Sequence, residues 1–156
     1  MKILVVDNAY RASKGEKPSV IALPDTCLFR NNDPYFLPQI DARISLTAGL
    51  LLKIHKIGKS VQAEFANRYI SEIGVGVHFK NSTLETDLIN QSTNPFPAVS
   101  YDRSLASSND FFPFEESKMY QFRIRIAETE LTLNHQSFRF PIAEMLSAVT
   151  EYYTIK

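Results

Sequence analysis

The run Ile44-Ser-Leu-Thr-Ala-Gly-Leu-Leu-Leu-Lys-Ile-His55, closed by Ile57-Gly58-Lys59, constrains the fold more than any other stretch. Leu46, Leu50, Leu51, Leu52, Ile54 and Ile57 make it the longest apolar run in the chain. A run of this kind, ended by Gly58, reads as a strand buried on both faces. Ser60 can then cap a helix from Val61 to about Ile73, because Val61, Phe65, Tyr69 and Ile73 recur every fourth residue. Gly74 and Gly76 are expected to turn the backbone into a second apolar strand, Ile73 to Phe79.

Other elements are read around this centre. Lys2 to Val6 and Ser19 to Leu23 are short β-branched runs and predict strands. Asn31-Asn32-Asp33-Pro34 is turn chemistry, since Asn tolerates left-handed backbone and Pro34 fixes φ. Tyr35-Phe36-Leu37-Pro38 reads as an extended piece at a sheet edge. Asn81 to Asn94 is polar apart from Leu84, Leu88 and Ile89, and Asn94 to Asp110 reads as a long loop. Phe111-Phe112-Pro113-Phe114 is an aromatic plug for core or interface packing. Gln121 to Ile126 alternates strictly, with Arg123 and Arg125 on the solvated face, and Glu130 to Leu133 returns as its partner. Pro141 opens a last helix whose buried stripe is Ile142, Met145, Leu146 and Val149. The fold class is α+β and mainly β, with two short helices and long loops.

Composition excludes several functions. With 17 basic and 17 acidic side chains, the net charge is zero. The chain has no electrostatic footprint for nucleic acid or an anionic membrane. No run approaches the roughly 20 apolar residues of a membrane span, and the start does not read as a signal peptide. The single Cys27 excludes an internal disulfide and reads as a buried structural thiol in a reducing compartment. The expectation is a cytoplasmic globular domain, which at this length buries roughly 70% of its unfolded surface.

Several stretches, in order, resemble the short bacterial members of the fumarylacetoacetate hydrolase family. Pro24-Asp-Thr-Cys-Leu-Phe-Arg-Asn-Asn-Asp-Pro34 is similar to that family's Lys-Pro-Asp-Thr-Ala-Leu-x-Arg-Asn-Asn segment. Leu50 through Phe65-Ala66-Asn67-Arg68-Tyr69 resembles its strand and helix with Lys-x-Gly-Lys and Phe-Ala-x-Arg-Tyr. Ile73-Gly-Val-Gly-Val-His-Phe79 is similar to its Gly-Ile-Asp-Phe strand. Phe138 to Leu146 and Tyr152-Tyr-Thr-Ile155 resemble its closing helix and the segment beyond. The resemblance implies a mixed β-sheet roll, one domain over 1–156, lacking the family's C-terminal segment.

The departures are systematic. In the family the first strand carries Glu-x-Glu and the second Asp, which together hold Mg²⁺ or Mn²⁺. That metal polarises a dicarbonyl substrate, assisted by a loop histidine and a lysine. The resemblance places Thr47, Gly49 and His78 at the three metal positions, Ser13 at the histidine and Leu23 at the lysine. Of the family's N-terminal loop, Asp7 to Ser13 retains Tyr10. A hard divalent cation wants oxygen ligands, usually carboxylates, so no cofactor is expected. A new site from His55 and His78 lacks a third ligand at a recognisable spacing. His78 reads instead as a core histidine filling the vacated pocket, and His135 as a turn residue. The leading reading is a non-catalytic protein of this fold with no catalytic or metal-ligating residues and a binding or partner role. Its expected partners are a second copy in a homodimer, a small carboxylate ligand or an intact family member. The alternative is a weakly active hydrolase, decarboxylase or isomerase of 2-oxo acids.

Overall fold

A computed structural model describes residues 1–10, 13–31, 33–38, 41–126, 128–134 and 138–156. The expectations for Asn32 and His135 lie outside these residues.

The central run forms strand β4, Ile44–Ile54. It pairs antiparallel with β5, Ile70–Asn81, which runs the length of the sheet beside it. Beyond β5 come β6, Leu105–Ser107, and then β3, Leu28–Phe29, which lies parallel to β6. A short β7, Phe112–Pro113, pairs with the start of β5. The order is therefore β3-β6-β5-β4, with β4 at the edge. This corrects the expectation for the apolar run. No residue of β4 is fully buried, and Leu46 is 41% exposed. The doubly covered strand is β5, whose Ile73 has no exposed surface.

The described residues form two smaller sheets besides this one. β1, Ile3–Val6, pairs with β2, Val20–Leu23. The hairpin β8, Gln121–Ile126, and β9, Thr129–Asn134, matches the alternation read in the sequence. Glu130 pairs with both Arg123 and Arg125 on its exposed face.

Three α-helices complete the described residues. The predicted helix after β4 shrinks to α1, Ala63–Ala66, followed by a 3-10 turn over Asn67–Tyr69. Ser60 does not cap it; Ser60 has φ 51° and its amide donates to the Thr150 carbonyl. Ile70 and Ile73 leave the helix because they pair with Ile54 and Leu52, so sheet pairing overrides the helical periodicity. Nor do Gly74 and Gly76 turn the chain. Both lie inside β5, where a Cβ would come within 2.8 Å of the Phe111 ring and of the Ala106 carbonyl oxygen, respectively. The polar stretch after β5 is α2, Ser82–Asn90, capped by the buried Asn81, whose Oδ1 accepts from the Leu84 amide. Helix α3, Ile142–Tyr152, opens after Pro141 as expected and buries Met145, Leu146 and Val149. With Val61, Ala66, Ile70 and Ile155, Leu146 and Val149 form the main core. Tyr35 joins no strand. Its ring stacks on Phe79 at 4.2 Å and its hydroxyl meets that of Tyr101 at 2.7 Å.

Candidate functional site

Antiparallel pairing puts directly opposed residues on one face of the sheet. β4 and β5 thereby set Thr47 opposite His78, and Gly49 opposite Gly76. The three positions singled out in the sequence are thus neighbours on one face. They border a cavity of about 570 Å³ that reaches from β1 across β4 to α3 and the end of the chain.

His78 is 5% exposed. Its Nε2 lies 2.7 Å from the Val99 carbonyl oxygen, just beyond a 3-10 turn over Phe96–Ala98. A carbonyl only accepts, so Nε2 carries the hydrogen and Nδ1 has none in the neutral ring. Burial pushes the imidazole below its usual range, reinforced by Lys80; the Val99 bond and Asp7 act the other way. His78 is a core histidine, but it does not fill the pocket, because the cavity lies open beside it. At Gly49 an added Cβ would meet nothing within 4 Å, so the space is free there too.

The other expected positions scatter. Ser13 is exposed and sits in a local turn, its amide donating to Glu16 Oε2. Leu23 is buried against Cys27 and Leu105, where a lysine charge would be desolvated. His55 is exposed and eight residues along the strand from Thr47, a separation of about 26 Å at strand rise. Cys27 is fully buried and unbridged, and burial raises its thiol pKa. Tyr10 does reach the cavity. Its ring packs on Phe138 at 4.8 Å, and its buried hydroxyl has no hydrogen-bond partner among the described residues. The retained tyrosine in an otherwise altered loop was the signal for it.

These groups do not fit a divalent cation. One hydroxyl, one glycine and one neutral imidazole supply no negative charge. Asp7 brings the one side-chain carboxylate among the described lining residues, and Lys80 Nζ already pairs with it. No cluster of three His, Cys, Asp or Glu side chains suited to a metal exists among the described residues. Nor is any helix among them long and apolar enough to cross a membrane.

No family model matches the sequence, and neither does any curated protein. Solved structures do match. A fumarylacetoacetate hydrolase family protein from Yersinia pestis aligns over 99% of this chain and 75% of its own, at 18% identity and a TM-score of 0.83. An Escherichia coli protein described as an isomerase aligns over the same shares, at 16% identity and a TM-score of 0.84. A fumarylpyruvate hydrolase from Pseudomonas aeruginosa, solved with Mn²⁺ and pyruvate, aligns over 91% of this chain and 64% of its own, at 13% identity and a TM-score of 0.77. At such identities the likeness establishes the fold. The chain has the fumarylacetoacetate hydrolase fold, as the ordered motifs implied.

Proposed function

We propose that this chain works by binding and not by metal-assisted catalysis. The observation that supports this reading is the pairing of Thr47 with His78 beside Gly49. The fold sets these positions together on one cavity-lining face, yet they offer no carboxylate. Desolvating a doubly charged ion there would cost at least several kcal/mol per ion with nothing to offset it. The cavity remains open and largely apolar, and the residues that border it include Lys2, whose Nζ donates to the Thr154 carbonyl, and Arg30, whose guanidinium meets the Met1 sulfur. Neither pairs with a carboxylate among the described residues. This chemistry suits a bound group that carries a carboxylate.

The test is a calorimetric titration with Mn²⁺, together with turnover of an acylpyruvate and of oxaloacetate. The expected result is no saturable metal binding and no rate above buffer with free metal. Turnover near about 10 per second would overturn the reading. The triple variant Thr47→Glu, Gly49→Glu, His78→Asp is expected to gain Mn²⁺ binding without gaining that rate, since Ser13 and Leu23 are unchanged.

A further inference from the structure

We draw no further inference here: the strongest candidate, the stretch of cavity wall that includes Thr47, His78 and Tyr10, belongs to the site already described, and nothing in the structure shows what covers the face on which that cavity opens.

Discussion

The Nε2 of His78 donates to the Val99 carbonyl across 2.7 Å, tying the C-terminal part of β5 to the turn after α2. Burial holds the ring neutral, outweighing the Val99 bond and Asp7, both of which favour the charged form.

Stability should therefore respond to acid. A histidine whose folded pKa is depressed binds its proton more readily when unfolded. Its contribution is complete above the unfolded value of about 6.5 and is lost as pH falls from there toward the folded value. Urea midpoints from pH 7.5 downward are expected to decline from about pH 6.5. In His78→Gln, whose amide can still donate to Val99, that part of the decline is expected to disappear. An unchanged slope would assign it to other groups.

Glycines in the paired strands should differ sharply. Gly76→Ala places a Cβ within 2.8 Å of the Ala106 carbonyl oxygen and 3.0 Å of the Leu51 side chain. Overpacking of this kind typically costs about 1–3 kcal/mol. Gly49→Ala faces open space and gains strand propensity, so it is expected to be neutral or to stabilise by up to about 1 kcal/mol. Chemical denaturation of the two variants side by side gives the comparison.

The closeness of Thr47, Gly49 and His78 is implied by the resemblance alone, which gives them the positions of one metal site, while their antiparallel register is a property of the fold. The edge position of β4 could not be read in advance. An apolar run shows that contacts are apolar, not whether a neighbouring strand supplies them. Helix α2 did leave a signal, Asn81 as cap with Leu84 and Leu88 four apart, but its polar surface masked it. β6 is three residues long, too short for any periodicity.

Thr150 anchors α3 to the segment before α1. Its hydroxyl is fully buried, accepts from the Val61 amide at 2.9 Å and donates to the Ser147 carbonyl. Thr150→Val keeps the shape and strands the Val61 donor. The expected loss is about 1–3 kcal/mol, the usual cost of a buried unsatisfied group. Thr150→Ser keeps the hydroxyl and should restore most of the polar part. Similar losses for both variants would point to methyl packing instead.

Assembly provides the last test. Phe112 is 52% and Tyr152 64% exposed, whereas Phe114 packs against the core and Phe111 borders the cavity. A chain of zero net charge has little self-repulsion to keep copies apart. Exposed apolar area much above a few hundred Å² usually marks an interface, and a two-fold dimer is the commonest way to cover it. The expected species is a homodimer burying more than about 1,000 Å² in total. Sedimentation at rising concentration should show the dimer mass. The double variant Phe112→Ser, Tyr152→Ser should shift the distribution toward monomer. A single monomer species across the whole range would remove self-assembly from this protein's properties.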